Sequence, residues 1–318
     1  MSFSSRTKDE LARIYPKNSC CRLAELAALI RMTGTLQLTN GGRKLNIKLT
    51  TENAAVARKL FKFFKTLFNI HVEVMIKKNL RLRKSNHYLM IVTNEMDSNT
   101  VLQRVGILKK NSDSFDIYRG TPIELLEKRC CKRAYLRGAF LGGGSVSDPE
   151  KTYHLEFVNH SLIHSESLRD LINSFGLKSK IIKRKGNYVV YLKEGDQVVD
   201  LLNIIGAHSA LLSLENIRIY KQMRNDVNRI VNCETANLGK IVNASIRQIE
   251  NIKYIEGTVG LGRLPLNLRE IAQLRLKNRD ASLKELGKML NPPIGKSGVN
   301  HRLRKIEEIA NNLKGNKR

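Results

Sequence analysis

The sequence is poor in aromatic residues and has no long apolar run. Aromatic side chains make up 6% of the 318 residues and tryptophan is absent, which disfavours a general RNA-binding protein because stacking platforms are scarce. No run approaches the roughly 20 apolar residues of a membrane-spanning helix, and no apolar segment follows Arg6 and Lys8 as a signal peptide requires. We therefore expect a cytoplasmic protein without a membrane partner.

Cysteine motifs with zinc spacing are also missing. Five cysteines are present, and none of them forms a C-x-x-C pair. Adjacent cysteines do not bond easily to each other, so the pattern is typical of reduced, buried thiols in a cytosolic protein. The sequence predicts neither a metal nor a cofactor, with a redox or metal role as the minor alternative. The cysteines are Cys20, Cys21, Cys130, Cys131 and Cys233.

Acidic charge is scarce relative to basic charge. The chain carries 56 Lys and Arg against 29 Asp and Glu, a formal net charge of +27. Such an excess predicts a polyanionic partner, usually double-stranded DNA, although some basic proteins are merely soluble and cationic. The basic residues alternate with apolar ones, so we expect a folded basic surface. They are densest at Arg58, Lys59, Lys62, Lys65, Lys77, Lys78, Arg81, Arg83 and Lys84.

Two segments of the chain align without a gap. Residues 20–36 match residues 130–146, and each has a cysteine pair, a basic residue, a short helical run with small residues and a closing glycine. Each half is predicted to have the same order of elements, beginning with the helix of the repeated segment: helix, strand pair, helix, strand pair, helix. An internal repeat of this kind predicts a pseudo-twofold domain built from two similar halves.

The repeated segment resembles a known motif. Residues 26–34 and 136–144 are both similar to the LAGLIDADG motif of homing endonucleases. The resemblance implies two motif helices packed along the pseudo-twofold axis, ending at the floor of a saddle of β-strands. The alternative is a pair of unrelated amphipathic helices. Small residues that would allow the close approach are Ala27, Ala28, Gly138 and Ala139.

The acidic residues of that motif have been replaced in this chain. In the family, a carboxylate before each closing glycine holds divalent metal, since hard oxygen ligands suit Mg²⁺. Thr33 and Gly143 occupy those positions, and Arg31 and Leu141 occupy the other acidic position. The sequence therefore predicts no catalytic residues and no metal in this motif. An active homing endonuclease is the disfavoured alternative.

The C-terminal region predicts a helix-turn-helix. A helix over 280–290, with Asp280 as its cap, precedes the Asn-Pro-Pro-Ile-Gly turn at 291–295, because consecutive prolines cannot continue a helix. A further helix begins at Lys296, with Ser297 as a natural N-cap. The alternative is a plain helical hairpin with a solvated basic face.

The residues facing away from the apolar stripe of this last helix suit DNA. We expect Asn300 to pair with a base edge, Arg304 to reach guanine or a phosphate, and His301 to do either. The remaining basic residues are better suited to phosphates. The predicted DNA-binding residues are Lys296, Ser297, Asn300, His301, Arg302, Arg304 and Lys305.

The whole chain resembles one bacterial family. Residues 2–4, 232–237 and 296–304 are similar to WhiA, which joins a degenerate LAGLIDADG domain to a sigma-region-4-like helix-turn-helix. The resemblance implies a non-enzymatic, sequence-specific DNA-binding regulator that is nucleoid-associated. It also implies roles in transcription control and sporulation, or in cell division and chromosome segregation. Another transcription or division protein is a candidate partner, and the oligomeric state is left open.

The predicted fold class is α+β. A pseudo-twofold LAGLIDADG-like domain of two similar halves is followed by an all-α helix-turn-helix domain. The predicted divisions are 1–110 for the first half with its N-terminal helix, 111–213 for the second half, 214–265 for a helical linker and 266–318 for the DNA-binding domain, with the helix-turn-helix itself at about 280–313.

Overall fold

A computed structural model describes residues 1–39, 44–78, 86–109 and 116–315. The chain divides into two compact units, Met1–Tyr220 and Lys221–Arg318. The helices of the first unit are α1 (Phe3–Arg13), α2 (Ser19–Thr33), α3 (Ala54–Phe68), α4 (Ser98–Arg104), α5 (Arg129–Gly143), α6 (Leu162–Asn173), α7 (Gly195–Ile205) and the start of α8 (His208–Thr258).

The first unit contains two antiparallel sheets with the same strand order. The first sheet runs β1-β2-β4-β3 and the second β5-β6-β8-β7. The shared order confirms that the chain repeats one arrangement of elements, as the gap-free alignment predicts. The strands are β1 (Gly34–Thr39), β2 (Lys44–Thr51), β3 (Val74–Lys78), β4 (Asn86–Val92), β5 (Gly144–Val146), β6 (Leu155–Asn159), β7 (Lys180–Arg184) and β8 (Asn187–Leu192).

Alternation along the strands determines which face of each sheet is buried. In β2, Leu45, Ile47 and Leu49 are fully buried, whereas Lys48 is half-buried and Thr50 is exposed. Side chains on a strand point alternately to opposite faces, so the apolar set packs into the core and the polar set lies on an open face. The predicted strand at 45–49 is confirmed.

Helices α2 and α5 pack against each other at backbone distance in the centre of this unit. Ala28 and Ala139 are fully buried. A Cβ atom added to Gly138 would lie 2.3 Å from the carbonyl oxygen of Glu25 and 3.0 Å from the Cβ of Ala28. The predicted role of small residues in this helix pair is thereby confirmed.

A buried carboxylate lies beside the same contact. Glu25 is fully buried and forms ion pairs with Lys59 and with Arg137, whose Nε lies 3.1 Å from Oε2. The ammonium of Lys59 also donates to the carbonyls of Leu11 (3.0 Å) and Ile14 (2.7 Å). Lys59 therefore does not belong to the basic surface on which the sequence placed it, because it lies on the core face of α3.

The rest of the predicted basic stretch divides between described and undescribed residues. Arg58, Lys62 and Lys65 are exposed on the outer face of α3, as predicted. The predicted residues Arg81, Arg83 and Lys84 lie outside the described residues.

Several element boundaries differ from the sequence-based ones. The opening helix begins at Phe3 rather than Thr7, because the Ser2 hydroxyl accepts a hydrogen bond from the Ser5 amide and caps it. Lys185 and Gly186, both with positive φ, form the turn that was expected at Gly186 and Asn187. Strands β3 and β7 each begin three residues later than expected.

Helices are the only regular secondary structure among the described residues of the second unit. Its helices are the remainder of α8, α9 (Leu266–Lys277), α10 (Leu283–Lys288) and α11 (Lys296–Gly315). The continuous helix predicted over 214–256 is confirmed within α8. The buried core of this unit consists of Ile252, Ile255, Leu264, Leu268, Ile271, Ala272, Leu286, Leu290, Val299, Leu303, Ile306 and Ala310.

The contact at Gly138 can be tested against an open helical glycine. Gly138→Ala should lower the free energy of unfolding by about 1–3 kcal/mol, because the added methyl meets the backbone of α2. Gly239→Ala is the matched control: this glycine is exposed within α8 with nothing within 4 Å, so alanine should stabilise by about 0.5–1 kcal/mol. Denaturant unfolding of both variants measures the two values, and equal effects would contradict the close packing.

Candidate nucleic-acid interface

A capping box positions the first helix of the helix-turn-helix. The Glu285 amide donates to the Ser282 hydroxyl (3.3 Å), and the Ser282 amide donates to the Glu285 carboxylate (2.7 Å). These hydrogen bonds hold the pKa of Glu285 below its usual value. The prediction that Asp280 caps this helix was therefore wrong. A capping box needs a glutamate three residues after the cap, and Ser282 meets this condition whereas Asp280 does not.

The turn between α10 and α11 depends on a glycine. The Ile294 amide donates to the Gly287 carbonyl at 3.0 Å. A Cβ atom on Gly287 would lie only 2.3 Å from the Ile294 carbonyl oxygen, so no larger residue fits without moving the turn. The turn predicted from the paired prolines is confirmed, and Gly287 sets the distance at which the chain returns.

Helix α11 begins one residue before the expected cap. Its first backbone hydrogen bond runs from the Val299 amide to the Gly295 carbonyl (3.1 Å), so Ser297 lies inside the first turn and does not cap it. The side chain of Ser297 is exposed there. The backbone amides of this first turn face outward with positive polarity, which favours an anion such as a phosphate.

The two faces of α11 separate as the sequence predicts. Val299, Leu303, Ile306 and Ala310 are buried in the core of the second unit. On the outer face, Asn300 is half-buried. The predicted residues that are exposed are Lys296, Ser297, His301, Arg304 and Lys305.

Arg302 differs from the other predicted DNA-binding residues. It is half-buried, and its Nη1 lies 3.4 Å from the carbonyl oxygen of Asn267, at the start of α9. The guanidinium therefore contacts a neighbouring helix of the same unit. Arg302 is therefore less available to an external ligand than the exposed Arg304 and Lys305.

The two motif positions of the first unit offer no carboxylate. The Thr33 hydroxyl donates to the Leu29 carbonyl at 2.8 Å, so it is used within its own helix. A Cβ atom on Gly143 would lie 2.3 Å from the terminal methyl of Met32 and 2.8 Å from the Val158 carbonyl oxygen. Met32 therefore occupies the space that a side chain at position 143 would need.

Arg31 has a structural role that the sequence did not reveal. Its guanidinium donates to four backbone carbonyls, and burial lowers its pKa. It joins α2 to the chain that follows α4, where no acidic residue could make the same contacts. The acceptors are Ala27 (3.2 Å), Val105 (3.0 Å), Gly106 (2.8 Å) and Gly120 (2.9 Å).

A buried polar group at the centre of the second half was also missed. The Tyr135 hydroxyl lies 2.7 Å from Nε2 of His164, whose Nδ1 contacts the amide of Asn159. Burial lowers the pKa of His164 to about 3, so the ring is neutral near pH 7. Sequence patterns give no signal for this group, because its three members come from α5, β6 and α6.

Among the described residues, no helix combines the length and the apolar character needed to cross a bilayer.

The fold and the motifs together define the class of protein. Two repeated β-sheets around a tight helix pair, with acidic motif positions replaced, make a degenerate LAGLIDADG-like domain. The second unit adds a helix-turn-helix. The combination is that of a LAGLIDADG-like protein with a C-terminal helix-turn-helix domain.

Comparison with known protein families identifies the family to which this chain belongs. Residues 19–108 match the WhiA N-terminal LAGLIDADG-like domain, 132–224 the WhiA LAGLIDADG-like domain and 227–310 the WhiA C-terminal HTH domain. The chain belongs to the WhiA family.

Relatives and solved structures agree with this assignment over the full length. "Probable cell division protein WhiA" of Alkaliphilus oremlandii (strain OhILAs) is 74% identical over 317 residues, which cover 100% of this chain and 99% of the relative. A Clostridium botulinum protein of the same name is 57% identical, covering 99% of each chain. The crystal structure of full-length DUF199/WhiA from Thermatoga maritima is 26% identical with a TM-score of 0.58, covering 98% of this chain and 99% of that one.

Proposed function

We propose that this protein is a sequence-specific DNA-binding regulator that acts in cell division. The observation that carries the proposal is the outer face of α11, which displays basic and amide side chains. The opposite face of this helix is buried in the core of the second unit. Such a face suits the major groove, because phosphates attract the cations while an amide can read a base edge. High identity to proteins named for cell division supports the cellular role.

The predicted residues divide into two roles in this proposal. Asn300 reads a base edge, adenine by preference, and Arg304 and His301 reach a base or a phosphate. Lys296, Ser297 and Lys305 contact phosphates, and the exposed first turn of α11 supplies further donors. Arg302 has a lesser part, since it already contacts the Asn267 carbonyl.

The first unit adds affinity that does not depend on sequence. Lys48 and Lys77 in the first sheet, and Lys180 in the second, lie on faces opposite to the buried strand residues. Lysines on an open sheet surface attract the phosphate backbone without distinguishing bases. Transcription control, chromosome segregation, nucleoid association and contact with another transcription or division protein belong to the same proposal, by virtue of the family.

We further propose that the protein does not cleave DNA. Metal-assisted hydrolysis needs oxygen ligands that Thr33 and Gly143 do not supply. Met32 fills the space beside Gly143, which supports the loss of the nuclease site from packing as well as from sequence.

Cleavage can be tested with genomic DNA. The full chain should enrich particular fragments of sheared DNA at physiological salt with Mg²⁺, and the fragment ends should be random. Sequencing both the bound fragments and their ends measures this, with a LAGLIDADG endonuclease as the positive control. Ends clustered at one site, and lost with a chelator, would contradict the proposal.

Base reading by Asn300 can be tested on the enriched sequence. Asn300→Ala should weaken specific binding by about 1–3 kcal/mol while leaving non-specific binding unchanged, because only a base contact is removed. Asn312→Ala is the control, since Asn312 is exposed near the far end of the same helix. Fluorescence anisotropy on specific and scrambled duplexes measures both affinities. An equal loss on the two duplexes would show that Asn300 does not read a base.

The phosphate contact of Lys305 can be tested through salt dependence. Lys305→Ala should reduce the slope of log affinity against log salt by about 0.9, the value for one released counterion on B-DNA. Lys314→Ala should leave the slope unchanged, because the Lys314 ammonium is bound to Asn251 at 2.9 Å within the unit. Titration at several salt concentrations gives both slopes, and an unchanged slope for Lys305→Ala would exclude the contact.

A further inference from the structure

The repeat brings cysteines from the two halves together. Cys21 and Cys131 are 110 residues apart, and their Sγ atoms lie 3.9 Å from each other. The Sγ atoms of Cys20, Cys21 and Cys131 all lie within 4.8 Å of one another. Adjacent cysteines within one segment of the sequence do not have the spacing of a zinc motif. The pseudo-twofold arrangement places the two pairs side by side instead.

From this geometry, we propose that Cys20, Cys21 and Cys131 bind a thiophilic metal ion, with Zn²⁺ as the preferred ion. Thiolate ligands select such ions over Mg²⁺ or Ca²⁺. In a tetrahedral zinc site with bonds of about 2.3 Å, neighbouring sulfurs are about 3.8 Å apart, which the 3.9 Å separation of Cys21 and Cys131 matches. The ion would join the first half of the domain to the second.

The surroundings act in opposite directions on the three thiols. The cysteines lie in the first turns of α2 and α5, where helix N-termini stabilise negative charge. A hydrogen bond from Cys131, with a smaller effect of Lys128, lowers the pKa of Cys20. Burial and the neighbouring Cys130 thiol raise the pKa of Cys21 to about 12, and burial also raises the pKa of Cys131.

Metal binding requires the three sulfurs as thiolates, so an incoming divalent ion displaces the proton from each thiol that carries one. One ion therefore binds three sulfurs, and the displaced protons pass to solvent. Cys20 is half-buried and Cys130 is exposed, which provides a path for entry.

A fourth ligand is available by symmetry. Cys130 aligns with Cys20 in the repeat, is exposed, and influences the pKa of Cys21. A rotation of its side chain would complete a four-sulfur site of the structural zinc type.

This site is separate from the one that metal occupies in LAGLIDADG nucleases. The cysteines lie at the N-terminal ends of α2 and α5, whereas Thr33 and Gly143 lie at the C-terminal ends. Thr33 lies twelve positions after Cys21 along the helix, a distance of about 18 Å. Binding at the cysteines therefore has no bearing on DNA hydrolysis, and it does not depend on the proposed function.

Cobalt provides a direct test, because tetrahedral Co²⁺–thiolate sites show sulfur-to-metal charge-transfer absorption. The reduced full-length chain, titrated with Co²⁺, should show this band saturating at one ion per chain and disappearing when Zn²⁺ is added. Cys233→Ser should leave the titration unchanged, since Cys233 is exposed on α8 in the other unit. Cys20→Ser should weaken metal binding by at least about tenfold. Removal of an outer-shell partner alone costs about 10–100-fold in metal affinity, and Cys20 is a direct ligand in this proposal.

Folding is controlled in the same experiment. Cys131→Ser changes a buried residue and could unfold the chain, so the circular dichroism spectrum of this variant is compared with that of the parent. If Cys131→Ser is unfolded, the metal titration of Cys20→Ser decides the outcome. Zn²⁺ should raise the unfolding temperature of the parent and of Cys233→Ser by more than that of Cys20→Ser.

Three results would overturn the proposal. The first is the absence of a charge-transfer band in the reduced chain. The second is a band that Cys20→Ser leaves unchanged. The third is a stable Cys21–Cys131 disulfide that persists in reductant, detected by a mass two hydrogens lower and the loss of two free thiols, since that would make the pair a covalent link rather than a metal site.

Discussion

The backbone contact between α2 and α5 is the constraint on which the first unit depends. With Gly138 placed against the Glu25 carbonyl, the two helices approach so closely that only small residues fit between them. Each helix is followed immediately by the first strand of its sheet, β1 after Thr33 and β5 after Gly143. The position of the helix pair therefore sets the position of both sheets, and the same contact brings Glu25 to Arg137 and Cys21 to Cys131.

Sequence patterns predicted the parts of the fold that rest on local periodicity or on repetition. The strand at Leu45–Leu49 and the apolar stripe of α11 follow from alternation and helical spacing, which short-range sterics impose. The repeat itself follows from alignment. The N-cap residues could not be predicted in the same way. Asp280 and Ser297 have the right chemistry for a cap, but only the backbone path determines which residue takes that position.

The residues that sequence could not place are those whose partners are distant along the chain. Lys59 looks like one more surface cation, and only Glu25, held in another helix, explains its burial. In the sequence, Arg31 is only a replacement for an acidic residue of the motif. In the structure its guanidinium donates to four backbone carbonyls, three of which lie more than 70 residues away along the chain. The Tyr135 and His164 pair has the same origin, since a hydrogen bond between elements leaves no spacing in the sequence.

The two halves share a topology but have ceased to be equivalent at their contact. In the alignment of 20–36 with 130–146, the ion-paired Glu25 corresponds to Tyr135, and the carbonyl-binding Arg31 corresponds to Leu141. In a symmetric assembly of two first halves, Ala27 would stand in the place of Arg137, so both copies of Glu25 would keep Lys59 but lose their second counter-cation. Two second halves would have no carboxylate to neutralise Arg137. Each half therefore supplies a charge that the other half neutralises, so neither half paired with a copy of itself would reproduce this contact.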